Sequence, residues 1–135
     1  MTTRPAYTPL QKQLLALLEE AGEEDLLTLV NTVANCKASS DVVSKVRDAL
    51  IELIKLETAE ISIGHSESGQ WTSLPKDAGH EALSNAARCV KWSPDEHQWR
   101  WLSTISPIWV VLTEKGQREA HHLLDREGWL IRGAD

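Results

Sequence analysis

The sequence predicts an α+β fold, mostly α, in a single domain. Three observations carry that prediction. Residues 8–56 hold three successive apolar stripes at helical spacing. Residues 59–64, "AEISIG", drop that period for strict alternation. Residues 108–127 run from the β-branched and aromatic "IWVVL" directly into a polar helix start, Thr113-Glu114-Lys115-Gly116.

The first helix is expected from about Thr8 to Ala21. Leu10, Leu14, Leu17, Leu18 and Ala21 share a face, Thr8 caps the start, Pro9 occupies the first turn and Gly22 stops it. The second is expected from about Glu23 to Cys36, with Leu26, Leu29, Val30 and Val33 on one side and the acids Glu23, Glu24 and Asp25 favoured by the dipole at its start. After the polar break "KASS", Ser39, Ser40 or Asp41 caps a third helix, about Asp41 to Leu56, whose buried stripe is Val43, Val46, Leu50, Leu53 and Ile54.

In "AEISIG", Ile61 and Ile63 point one way and Glu60 and Ser62 the other, which is a half-buried strand. "HSESGQ" reads as a turn and "WTSL" as a returning strand; "DAGHEALSNAARC" reads as a short helix. "SPDE" has a Ser cap, a Pro in the first turn and a Glu placed for a capping box, so a helix from Pro94 to about Thr104 is expected. The competing reading pairs "CVKW" with "WRWL" in a hairpin across "SPDEHQ". "IWVVL" is a strand, and Thr113 caps a last helix to about Glu127, ended by Gly128.

At 135 residues the chain has the length of one domain, and no apolar run is long enough to span a bilayer. "MTTRPAYTPLQ" lacks the layout of a secretory signal, so a cytoplasmic location is expected, with no membrane partner. Cys36 and Cys89 are far apart and in no metal-like spacing, so both are read as free thiols. The net charge of −6 argues against nonspecific binding of nucleic acid and leaves any such contact to a local basic patch. There is no phosphate-binding glycine loop, zinc spacing or nucleophile elbow, so neither an enzyme nor a cofactor is expected.

The order helix, helix, helix, strand, insertion, strand, helix lets the second and third helices form a helix-turn-helix and the following strands a wing. "SSDVVSKVRDALIELIKLETAEISI" resembles the recognition helix and first wing strand of winged-helix (winged helix-turn-helix) transcriptional regulators. "WVVLTEKGQREAHHLL" resembles their second wing strand passing into the next helix, through Leu112, Thr113, Glu114, Lys115 and Gly116. The resemblance covers roughly residues 8–64 and 108–127 and leaves 65–107 as a Trp-rich insertion in the wing. It implies a three-helix winged helix-turn-helix with a small antiparallel β-wing and a C-terminal helix. The implied function is transcription regulation by a homodimer whose third helix, about residues 41–56, enters the major groove of double-stranded DNA.

On that reading the DNA-binding candidates are Lys37, Ser39, Ser40, Ser44, Lys45, Arg47 and His65, with Asp48 beside them and Arg88, Lys91 and Arg100 extending the contact from the insertion. The bland alternative makes the serines caps, Arg47 a structural residue and the rest a solvated face. The third helix is charge-balanced, with Lys45, Arg47 and Lys55 against Asp41, Asp48 and Glu52. This keeps open a winged-helix protein-interaction module without DNA binding, reached through the insertion. Trp71, Trp92, Trp99 and Trp101 admit core filling, an interface or base stacking. His121 and His122 read as solvated or interface residues, with His122 able to pair with Asp125 or Arg118. The last helix and the Trp129-Leu130-Ile131 tail are expected to build the dimer. A weaker idea is ligand sensing in an apolar pocket between insertion and helices.

Overall fold

The structure, a computed structural model, describes residues 6–35, 37–39, 41–65, 70–102 and 108–127, with the backbone alone at 65, 70, 71, 124, 126 and 127. Its elements in chain order are α1 (Pro9–Ala21), β1 (Glu23–Asp25), α2 (Leu26–Ala34), α3 (Val42–Lys55), β2 (Ala59–His65), β3 (Gln70–Ser73), α4 (Lys76–Ala87), β4 (Val90–Ser93), β5 (Gln98–Trp101), β6 (Ile108–Leu112) and α5 (Glu114–Glu127). The fold is α+β, with more residues in helices than in strands. Four strands form one antiparallel sheet in the order β1-β6-β2-β3, and β4 and β5 form a separate hairpin. No helix among the described residues is long and apolar enough to cross a membrane.

α1 starts as its sequence demands. The Thr8 hydroxyl accepts from the Gln11 N–H at 3.1 Å and the Gln11 side chain accepts from the Thr8 N–H at 2.9 Å, a reciprocal cap. Its buried residues are Leu14, Leu15, Ala16 and Leu18, a wider arc than the predicted stripe, because α3 lies on one side of it and α5 on another. Each fully buried leucine here stabilises the fold by about 2 kcal/mol.

The expected helix from Glu23 to Cys36 is replaced by a strand and a shorter helix. Glu23, Glu24 and Asp25 pair with Val111, Val110 and Trp109 of β6, and Asp25 then caps α2 by accepting from the Thr28 N–H at 2.8 Å. The three acids are strand because a distant partner pairs with them; their own propensity points elsewhere. α2 ends at Asn35, in the left-handed region at φ 51°.

The expected helix from Pro94 is also overturned. β4 and β5 pair with Trp92 opposite Trp99, and residues 94–97 make the turn, closed by His97 at φ 54°. The capping groups are used inside that turn, where the Ser93 hydroxyl donates to Glu96 Oε1 at 3.4 Å. Burial decides the outcome. On a helix Trp99 and Trp101 would lie about 200° apart, so one would face solvent; on a strand they share a face. In the hairpin Trp99 is only 7% exposed, and Trp92 and Trp101 pack against the same core.

β6 alternates as predicted, with Ile108, Val110 and Leu112 buried. In β2, Ile61 is fully buried, but Ser62, expected to face out, is buried as well and lies 3.5 Å from the Ser73 hydroxyl across the sheet. β3 covers it. α4 packs along α3 and over β2; a Cβ at Gly79 would stand 3.3 Å from the Ile61 side chain, so the helix backbone lies directly on that side chain.

The end of α3 is held by the Leu112–Gly116 segment. Glu57 sits in the left-handed region at φ 64°, so that its N–H donates to Ile54 C=O and the Thr58 N–H to Leu53 C=O, both at 3.0 Å. The neighbouring carbonyls are met from α5. Lys115 Nζ donates to Leu56 C=O at 2.9 Å, the Thr113 hydroxyl to Glu57 C=O at 2.5 Å and the Thr113 N–H to Thr58 C=O at 3.1 Å. The same Thr113 oxygen accepts from the Gly116 N–H at 3.0 Å and so caps α5. Gly116 presses against Thr58: a Cβ there would overlap the Thr58 carbonyl oxygen and stand 2.8 Å from its carbon. One short stretch ends β6, starts α5 and fixes the C-terminus of α3.

Candidate nucleic-acid interface

α3 presents Lys45, Asp48, Glu52 and Lys55 to solvent, with Val43, Ser44, Arg47 and Ile51 half-buried on one flank. Lys37 is exposed in the turn before it. Ser39 is exposed, and its hydroxyl donates to Asp41 Oδ1 at 2.5 Å. The Ser44 hydroxyl turns back onto Asp41 C=O at 3.0 Å. Asp41 occupies the cap position without a side-chain cap bond, so the expected capping at this end is absent from Asp41 itself. Ser40 and Cys36 lie outside the described residues, and His65 is described by its backbone, which pairs with Gln70 at the end of β2.

Each cation of α3 meets an acid of the same helix or its cap. Lys45 Nζ lies 2.9 Å from Asp41, Arg47 Nε 2.9 Å from Asp48, and Lys55 Nζ 3.6 Å from Glu52. The Lys45 bond, followed by that of Ser39, holds the Asp41 carboxyl down to about 2 from 3.8. Asp41 therefore stays negative at every physiological pH. The face has the polar groups to contact a duplex and almost no net charge.

The insertion places its cations differently. Lys91 and Arg100 are exposed and directly opposite each other across the hairpin, and Arg100 Nη1 also meets Glu96 at 2.6 Å. Arg88 is exposed just after α4. The Trp92 and Trp99 rings turn to the other face, edge to face at 5.7 Å and 68°. Of the three tryptophan readings, core filling is what the described rings do; the Trp71 side chain lies outside the described residues.

Asn31 is the residue that sequence reasoning missed. Its amide accepts from the Trp99 N–H at 2.7 Å and donates to Trp99 C=O at 3.1 Å, tying the hairpin to α2. Nothing local marks it, because its partner is 68 residues away. The C-cap role of Lys115 was missed for the same reason.

His121 and His122 diverge as adjacent helical residues must. His121 Nε2 lies 2.6 Å from Glu19 on α1, while His122 is half-buried and its Nε2 has no hydrogen-bond partner, so the expected pairing with Asp125 or Arg118 is not made through that nitrogen. The Trp129-Leu130-Ile131 tail and Gly128 lie outside the described residues. Among the described residues no group of three or more His, Cys, Asp or Glu could hold a metal ion. A half-open cleft of about 460 Å³ does lie between insertion and helices, floored by Ile54, Ile61 and Leu74. Its rim mixes the cations Lys76, Lys115 and Arg118 with the acids Glu57, Glu60 and Glu114, and Lys76 is already 3.2 Å from Glu57.

No family model, curated protein or solved structure matches the chain.

Proposed function

We propose that the chain is a winged-helix domain that docks double-stranded DNA through α3 and acts as a transcriptional regulator. One observation carries the reading. The two segments that resemble wing strands, β2 and β6, are separated by residues 66–107, yet they pair with each other from Ala59↔Leu112 to Ile63↔Ile108. β2 follows α3 directly, and a short polar turn joins α2 to α3. The clasp made by Thr113, Lys115 and Gly116 gives the Leu-Thr-Glu-Lys-Gly stretch a reason to accompany a helix that must be held at a fixed angle.

The ion pairs on α3 do not block such docking. Exposed pairs of this kind are worth about 0–1 kcal/mol each, so Lys45 and Arg47 exchange their acids for phosphates at small cost. They do limit its strength. Lys37, Lys45 and Arg47 are the cations around the start of α3, so this helix and its turn neutralise about three phosphates and contribute about −3 to the slope of the logarithm of affinity against that of salt. The test is a fluorescence titration of labelled duplex across salt. Measurable binding at low salt, weakening as salt rises, and loss of affinity in Lys45→Ala are expected; no binding to any duplex at low salt ends the reading. Two copies of α3 on a palindromic site make a homodimer the matching assembly, and a monomer by light scattering at working concentration removes that part.

The second reading, a winged-helix module that binds protein, is favoured by the pairing of every α3 cation with a neighbouring acid. It requires that neither duplex nor single strand bind at low salt.

A further inference from the structure

The β4–β5 hairpin carries a charge arrangement that its own fold does not explain. Lys91 and Arg100 face each other directly across the two strands, on the side turned away from the tryptophan rings. Like charges in that position destabilise a hairpin. Glu96 relieves Arg100 alone, at 2.6 Å, and Lys91 meets no acid among the described residues. Everywhere on α3 the chain places an acid beside each cation; here it places a second cation.

We infer that this face of the hairpin is a second contact for the phosphate backbone of duplex DNA, in addition to α3. The inference rests on the duplex-DNA reading above and names a part of that interface outside the helix-turn-helix. Three features fit it. The surface is tied to the helix pair: Asn31, on α2, holds both backbone groups of Trp99, the residue next to Arg100. Two exposed cations side by side on a strand pair suit adjacent phosphate oxygens, which accept from Lys and Arg without regard to sequence. Single strands fit less well. Stacking platforms need an exposed ring, and Trp99 is 7% exposed while the Trp92 ring packs into the core beside it. The face therefore offers charge without stacking, and Asp95 and Glu96 confine it to the strands by closing off the turn end.

The test compares wild type with Lys91→Gln/Arg100→Gln in titrations of a labelled, random-sequence duplex about two helical turns long. Near-ultraviolet circular dichroism of the Trp92–Trp99 pair serves as the folding control. The double variant is expected to keep that signal, to lose at least about tenfold in affinity at low salt, and to flatten the salt slope by about 2, since two phosphate contacts disappear. Glu96→Gln, which frees Arg100, is expected to tighten binding. If wild type binds and the double variant matches it in affinity and slope, the inference falls while the α3 reading stands, provided Lys45→Ala still weakens binding. If wild type binds no duplex, that reading falls and takes this one with it. Polyglutamate that binds wild type as tightly as the duplex does, with the same loss in the double variant, assigns the face to an acidic protein and overturns the proposal.

Discussion

α3 pairs every one of its cations with an acid, while the β4–β5 hairpin does so for Arg100 and not for Lys91. On α3, Lys45, Arg47 and Lys55 each have a carboxylate within 4 Å, from their own helix or its cap. On the hairpin, Lys91 and Arg100 face each other. The two regions are also anchored differently. α3 is held at its C-terminal end, by carbonyl contacts from Thr113 and Lys115. The hairpin is held at its middle, by one asparagine. The helix is thus built to be oriented, with each cation already paired, whereas the hairpin leaves Lys91 without an acid among the described residues and sits where α2 can position it.

The largest effect should come from the anchor of α3. Gly116→Ala puts a methyl group into the Thr58 carbonyl, where backbone must yield because the overlap is with main-chain atoms; the Leu112 side chain, 3.1 Å away, is the lesser contact. The expected loss is about 3 kcal/mol in urea unfolding, at the upper end of overpacking costs. A loss under about 1 kcal/mol would mean that α5 can slide away from α3, and that the clasp does not set the helix angle.

The hairpin's anchor should cost less and act locally. Asn31→Ala leaves the Trp99 N–H and C=O without their partners in a half-buried setting, for about 2 kcal/mol. Hydrogen exchange separates the two anchors. The Trp99 amide is expected to lose protection in Asn31→Ala while the amides of α3 keep theirs. Equal loss in both regions would show that hairpin and helix open together, and the contrast between them would then be one of charge alone.

The same contrast explains what could be read from the chain by itself. α1, α3, α4, β6 and α5 were legible because their signals are local: a Thr8 cap before Pro9, apolar stripes, "IWVVL", and Thr113 before its helix. β1 was illegible, since Glu23, Glu24 and Asp25 become strand only through β6, with Asp25 opposite Trp109. The hairpin was misread because "SPDE" is a genuine helix start, and the burial of Trp99 against the core and the Asn31 contact outweigh it. At the candidate interface the residue types were legible and so was the charge balance of α3, because spacings of one to four residues fix which side chains meet on a helix. The opposition of Lys91 and Arg100 depends on a strand register that exists only once the hairpin is accepted.

The smallest effects are the most discriminating, because they differ in sign. Lys91→Glu replaces a like-charge pair by an opposite-charge one across from Arg100, so it is expected to stabilise the protein by about 0.5 kcal/mol. Lys45→Ala removes a favourable partner and should act on Asp41. That carboxyl sits at about 2, below its ordinary 3.8, with the Lys45 hydrogen bond the first cause and Ser39 the second. A depressed folded value means that the group's stabilisation is present above about pH 4 and is lost as pH falls through about 2. In Lys45→Ala the Asp41 midpoint, followed by carboxyl carbon NMR, should therefore rise towards 3.8 while the Ser39 bond keeps part of the depression. An unmoved midpoint would make Lys45 a bystander and α3 less neutral than its geometry indicates. A drop in stability on Lys91→Glu would mean that the facing cations impose no strain on the hairpin, and the reason to seek a phosphate for them would weaken with it.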